Sequence, residues 1–240
     1  HGYKGFKDWG AWNLVADEFV KAGFIFLKFN FSHNGGTLEN PIDFPDLQAF
    51  GENTYSKEVE DLHTVVCWAQ SKNSYLIDKS NVTLIGHSRA GGVTSIVAKE
   101  SKFVSRLVTW AGVSDFKKRF PKKDRMEEWK EKGVFYVQNG RTKQEMPHFF
   151  SFYEDFIQNQ QRLNIKSAIK QVRKPQLIIH GDNDEAVYLK EAELLKQWNS
   201  HAELEIIVNA NHTFGSKHPW VVDKLPKDLQ RVVNRTIEFI

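Results

Sequence analysis

Three short segments carry side chains suited to nucleophilic chemistry. The first is Gly86-His87-Ser88-Arg89-Ala90-Gly91-Gly92, entered directly from the apolar run Val82 to Ile85. A serine there sits on a sharp strand-to-helix turn, with its hydroxyl presented at the strand's C-terminal end. Small residues two positions to either side let strand and helix approach closely. Ala90 stands where the G-x-S-x-G pattern has its second glycine, and alanine satisfies the same steric demand. The competing reading is a tight turn with an incidental serine.

The second segment, His180-Gly181-Asp182-Asn183-Asp184, follows the apolar run Gln176 to Ile179. Its carboxylates face the same sheet edge as Ser88 if the strands are parallel; alternatively, Asp184 caps the helix that follows. The third, Asn209-Ala210-Asn211-His212-Thr213-Phe214, follows Leu204 to Val208 and offers either a general base or a solvated loop histidine. A serine, a histidine and a carboxylate brought together make an activated nucleophile for acyl transfer. A glycine-bearing loop, His1-Gly2-Tyr3-Lys4-Gly5, adds backbone amides that can approach an oxyanion.

The elements that must position these residues follow from the apolar pattern. Phe24 to Phe31, Val82 to Ile85, Leu107 to Val113, Gln176 to Ile179 and Leu204 to Val208 read as strands buried on both faces. Between them lie helical stripes over Trp9 to Lys21, Tyr55 to Gln70, Ala90 to Lys99, Leu189 to Trp198 and Leu229 to Ile240. The first stripe is Trp12, Val15, Ala16, Phe19 and Val20, with Gly23 placed as a C-terminal cap. This alternation predicts βαβ units and a largely parallel sheet. Residues 115–173 break the rhythm, showing charge, aromatics and no buried strand. They are expected to form an insertion over one end of the sheet, within a single domain spanning 1–240.

Of the 240 residues, 40% are hydrophobic and 26% charged, with net charge +3, which does not suggest a nucleic-acid binder. One cysteine, Cys67, excludes an internal disulfide and any multi-cysteine metal site, and fits a cytoplasmic location. No HExxH or Cys/His zinc spacing is present, so no metal and no cofactor are expected. No apolar run approaches bilayer length.

The serine, aspartate and histidine occur in that order, each after an expected strand, and so resemble the α/β-hydrolase superfamily. The HGYKG start, GHSRAGG, HGDND and NANHTFG are similar to bacterial cinnamoyl (feruloyl) esterases, dienelactone hydrolases and the prolyl oligopeptidase family. The resemblance implies an α/β-hydrolase fold with Ser88 as nucleophile, His212 as general base and Asp184 as the acid. Asp184 fits the register HG, two variable residues, acid, two residues, valine. Asp182 is expected to brace its turn, and Asp115 occupies a position from which some members supply the carboxylate. The backbone amides of Tyr3 and Arg89 are the implied oxyanion donors. Dienelactone hydrolases carry cysteine at the elbow and haloalkane dehalogenases aspartate, whereas Ser88 stands here. In these relatives a central strand precedes the HG loop, with an antiparallel pair before it, so N-terminal strands are expected beyond the given sequence.

Several further residues are candidates for substrate contact. His33 and Asn34 follow the first expected strand and lie toward the same edge; a merely structural turn is the alternative. Phe149 and Phe152 belong to an aromatic group offering either an acyl or aryl pocket or core packing. Residues 116–143 hold ten lysines and arginines against four acids, either a solvated face or a lid favouring anionic substrates. The expected function is hydrolysis of small acyl or aryl esters, with a small-molecule substrate as the only implied partner. A serine peptidase and a non-catalytic binding module on the same fold remain the alternatives.

Overall fold

The computed structural model describes residues 1–72 and 78–240. Helix α1, Trp12–Lys21, buries Val15 and Phe19 and ends at Gly23, whose φ of 91° suits glycine. Val20, expected on its buried stripe, is exposed. Two short polar caps start the next helices. Asp46 accepts from the Ala49 N–H ahead of α2, Leu47–Gly51, and Thr54 accepts from the Lys57 N–H ahead of α3, Tyr55–Ser71.

Strand β1, Val82–His87, runs into α4, Arg89–Glu100, and is followed by β2, Val104–Trp110. A 3-10 turn at Lys117–Arg119 precedes α5, Lys123–Lys132, then β3, Val134–Gln138, and β4, Glu145–Phe149. Helices α6, Ser151–Gln158, and α7, Ile165–Gln171, lead to β5, Gln176–Gly181. Helix α8, Leu189–Trp198, strand β6, Glu203–Ile207, and α9, Lys227–Phe239, complete the described chain.

The main sheet has the order β1-β2-β5-β6, and every pair is parallel. One face carries a core built from α3, α4, α7 and α8; the other is covered by α1 and α9. Residue β5 positions are all buried, as a central parallel strand requires, and most of β2 is too. Edge strand β6 departs from the expected double burial, because its outer residues Glu203 and Ile206 meet solvent.

The run Phe24 to Phe31 is a correction to the expected strand. It joins no ladder among the described strands. Its side chains still alternate: Phe24 and Phe26 pack on Phe19, while Ile25 and Leu27 are 64% and 44% exposed. Alternation reports side-chain packing; a ladder also needs a neighbouring backbone, and no described strand lies beside this run.

Residues 115–173 also differ from expectation. They contain an antiparallel hairpin, with Val134 opposite Phe149 and Gln138 opposite Glu145. Pro147 inside β4 is tolerated because the sheet has only two strands, leaving an edge where no N–H is needed. The hairpin is anchored by Trp129, whose indole N–H donates to the His148 carbonyl at 2.8 Å. Gly133, with φ of 72°, ends α5 just before it. Met146 of β4 joins Phe6, Phe44 and Phe50 in a small third core, which ties the hairpin to the N-terminal loop. Helix α7 instead packs against α4 and α8 on the face of the main sheet.

Candidate active site

The turn between β1 and α4 is tight because glycines allow it. A Cβ on Gly86 would lie 2.4 Å from the Ala90 carbonyl oxygen, and one on Gly91 would lie 2.6 Å from Gly112 Cα. Ala90 needs no such exemption, since it is an ordinary helical residue with its methyl buried. Ser88 has φ 58° and ψ −122°, a conformation costly for a residue with a side chain. It is held there by its N–H on the Trp110 carbonyl, 2.9 Å, and by its carbonyl accepting from Gly91 and Val113.

The Ser88 hydroxyl donates to His212 Nε2 at 2.9 Å. His212 Nδ1 lies 2.7 Å from Asp184 Oδ2. A carboxylate only accepts, so Nδ1 carries the proton and Nε2 is left as the acceptor facing the serine. Asp184 Oδ1 accepts from the N–H groups of Ala186 and Val187, both at 2.8 Å. Burial of Asp184, 3% exposed, favours its neutral form. Hydrogen bonding from His180, His212 and the Val187 amide outweighs this and holds the carboxyl well below the usual range. Asp184 is therefore a charged, oriented acceptor; the two amides it binds lie in the loop ahead of α8, which starts from Tyr188 without a side-chain cap, so the capping alternative does not hold.

Two further histidines brace this arrangement. His87 Nε2–H donates to the His212 carbonyl at 2.8 Å, tying the histidine loop to the elbow. His180 Nε2–H donates to the Val187 carbonyl at 2.7 Å, closing the loop that carries Asp184. Asn211 Oδ1 accepts from the Thr213 and Gly215 N–H groups and shapes the His212 turn. The other acids bond elsewhere: Asp182 accepts from the Asn209 N–H and Asp115 from the Lys117 N–H. Asp182 thus braces the neighbouring loop across the sheet end instead of its own turn, because the Asn209 amide is the one its carboxylate meets.

The N-terminal loop lies directly on the serine. A Cβ on Gly2 would fall 2.8 Å from Ser88 Cβ. Neither the Tyr3 nor the Arg89 N–H donates to a protein group among the described residues. For Arg89 the reason is simple, as it opens α4 and no preceding turn offers a carbonyl.

A cavity of about 930 Å³ holds Ser88 and His212 and is walled by Tyr3, Tyr55, Phe116, Phe120, Trp129 and Phe152. Of the expected substrate contacts, only Phe152 lines it. Phe149 packs its ring on Gly51 of α2. His33 bonds Ser32 Oγ at 2.7 Å outside the cavity. Asn34 is buried, receiving the Gly36 N–H and donating to the Gly5 carbonyl, so it braces the HG loop. The sequence reading missed His148, which faces the cavity with Nε2 2.7 Å from the Tyr3 hydroxyl. No local pattern marks it, since its partner is far away in the chain.

His148, 6% exposed, is lowered from the ordinary 6.5 to about 3 by burial, then by the charges of Arg89 and Lys4. Burial, then the adjacent His212, lowers His87 to about 3 as well. Both are neutral in the fold, so the unfolded chain binds more protons between about pH 6.5 and 3. Stability is full above that window and is lost as pH falls through it. Each histidine is expected to cost about 1.4 kcal/mol per pH unit at most. Urea unfolding at pH 7 and pH 5 checks this. The His148→Gln chain should lose clearly less stability over that interval than the wild type, and an equal loss would refute the assignment.

Among the described residues, no helix is long and apolar enough to cross a membrane, and no cluster of three or more His, Cys, Asp or Glu could hold a metal ion.

A parallel sheet flanked by helices, with a serine at the strand-to-helix turn of β1, is the α/β-hydrolase fold. Within that class, residues 18–225 match the sequence profile of the prolyl oligopeptidase family, and the chain belongs to it. A comparison with curated proteins found no match. Among solved structures, Est1E from Butyrivibrio proteoclasticus with ferulic acid bound aligns with TM-score 0.73 and 17% identity, over 100% of this chain and 85% of that one. A protein described as a hydrolase from Agrobacterium vitis S4 aligns with TM-score 0.70 and 17% identity, over 100% and 85%. The Paleococcus ferrophilus monoacylglycerol lipase aligns with TM-score 0.67 and 12% identity, over 98% and 90%. These likenesses establish the fold.

Proposed function

We propose that the chain is a serine hydrolase that cleaves carboxylic esters of small acyl or aryl groups. The observation that carries this is the hydrogen-bonded chain Ser88 Oγ–His212 Nε2 and His212 Nδ1–Asp184 Oδ2, at 2.9 and 2.7 Å, opening on a cavity with aromatic walls. His212 takes the Ser88 proton as the oxygen attacks the ester carbonyl, and Asp184 stabilises the imidazolium. The Tyr3 and Arg89 amides receive the developing oxyanion, worth roughly 3 kcal/mol per donor. The tetrahedral adduct collapses, the alkoxide leaves with the proton held by His212, and the acyl group stays on Ser88. Water then attacks the acyl-enzyme with His212 again as base.

The domain is read as one α/β-hydrolase unit over 1–240, with 115–173 as its cap. In this reading the stretch from Phe116 to Phe152 forms the roof of the cavity, and α7 returns the chain to the scaffold. The aromatic wall suits an aryl or apolar acyl group, and the likeness to a structure holding ferulic acid supports the same choice.

A second reading, peptidase activity, is favoured by the family match. Hydrolysis of p-nitrophenyl acetate, butyrate and octanoate, measured beside an aminoacyl p-nitroanilide, separates the two. Ester turnover is expected to exceed anilide turnover. Anilide turnover alone would replace the ester reading, and no turnover of either would leave a binding module.

Gly2 offers a test of the oxyanion loop. In the Gly2→Ala chain the added methyl collides with Ser88 and pushes the Tyr3 amide away from the serine. A displacement on the order of 1 Å is expected to lower kcat about a hundredfold, with little change in unfolding midpoint. An unchanged kcat would remove Tyr3 from the oxyanion hole.

A further inference from the structure

Arg89 has a second role that its backbone does not exhaust. Its side chain is 15% exposed and lines the cavity beside Ser88. The guanidinium carbon lies 4.4 Å from the Tyr3 ring centroid, 5.3 Å from Tyr55 and 5.6 Å from Phe152. Among the described residues its one ion-pair partner, Glu58, engages Nη1 at 3.2 Å. No described residue takes Nε or Nη2, and neither is a sealed, unpartnered atom, so both keep some exposure on a residue that lines the cavity. Glu58 also spends its Oε1 on the Asn53 amide and leaves Oε2 without a partner, so it does not saturate the arginine.

We propose that the free Nε/Nη2 edge of Arg89 clamps a carboxylate on the substrate, so that the preferred esters are carboxylate-bearing ones with an apolar or aryl body. A guanidinium fork matches the two oxygens of a carboxylate, and aromatic neighbours stack on its faces while leaving its edges free. Low-dielectric walls strengthen the pairing relative to water. Lys122, Lys123 and Arg125 also line the cavity, with Asp124 the acid among them, and they draw anions toward the opening. These three are exposed, so their share is screened by salt, whereas that of the enclosed Arg89 is screened much less. The inference deepens the proposed ester hydrolysis by naming the substrate class.

The test has a kinetic arm and a binding arm. In the first, kcat/KM for p-nitrophenyl hemiglutarate is compared with that for the neutral p-nitrophenyl pentanoate. In the second, calorimetry compares 4-phenylbutyrate with 4-phenylbutanamide, which needs no catalysis. The carboxylate is expected to be favoured at least about tenfold in both arms. Glu58→Gln/Arg89→Gln, which leaves no buried carboxylate unpaired, should bring both ratios to within about twofold. Arg89→Lys, which keeps the ion pair and loses the fork, should reduce them at least about threefold. These variants keep the Tyr3 and Arg89 backbone N–H groups and the test reads ratios between matched ligands, so an anion held by those amides would keep its preference. The clamp is overturned if the wild type shows no preference in binding, or if the double variant retains it. Cleavage of both esters at equal rates with no binding preference would sink the clamp and leave the ester reading standing. Cleavage of neither ester, with Arg89-dependent carboxylate binding, would do the reverse.

Discussion

Ser88→Ala is expected to lower kcat on p-nitrophenyl esters by about four orders of magnitude or more while leaving the unfolding midpoint nearly unchanged. The loss is large because members of a triad act as a unit: with no nucleophilic oxygen, the base has nothing to activate. The fold should tolerate the change because, among the described residues, the one hydrogen bond of Ser88 Oγ is to His212, while the elbow is held by backbone bonds. The backbone strain at φ 58° is the same for alanine as for serine. A fluorophosphonate probe should form one adduct, on the peptide holding Gly86-His87-Ser88-Arg89, and none on the variant. Two other serines set the contrast. Ser32 Oγ contacts the ring of His33 away from the cavity, and Ser114 is 2% exposed. An adduct on either one would overturn the nucleophile assignment.

Asp184→Asn is expected to lower kcat about a thousandfold or more. The asparagine oxygen can still receive the Ala186 and Val187 amides, so the loop should hold its shape. That choice turns the asparagine NH2 toward His212 Nδ1. Two donors cannot face each other, so the imidazole places its proton on Nε2 and can no longer accept from Ser88. Asp182→Asn and Asp115→Asn should show far smaller losses in kcat, since their carboxylates bond the Asn209 and Lys117 amides and do not reach His212. Kinetics of the three variants, each checked for folding by circular dichroism, decide the matter. A near-normal kcat for Asp184→Asn beside a collapsed one for either of the others would sink the assignment.

Much of the scaffold was legible because its causes are local. The runs at β1, β2, β5 and β6 are short, apolar and separated by helical stripes, a pattern that leaves few choices besides parallel strands. The motifs at Ser88, Asp184 and His212 each follow a strand, and parallel strands deliver all such loops to one edge. The segment Phe24 to Phe31 shows where this reasoning stops. Its alternation describes which side chains pack on α1, yet pairing depends on a neighbouring backbone that no window of sequence contains. The β3–β4 hairpin was hidden for a related reason. Pro147 argues against a strand in general and loses that force only on an edge, and being an edge is a property of the assembled sheet.

By itself, the sequence determined the fold class, the order of the candidate serine, acid and histidine, and the strand ends that carry them, since all of these depend on residue types at short spacings. The tertiary structure alone decided what surrounds them. It set His148 against Tyr3, turned Phe149 and His33 away from the cavity while keeping Phe152 in its wall, and enclosed the Arg89 guanidinium among Tyr3, Tyr55, Phe152 and Glu58. These contacts join residues tens of positions or more apart. Each depends on which faces the packed core leaves open, so burial and hydrogen bonding are set by the whole chain and not by any segment of it.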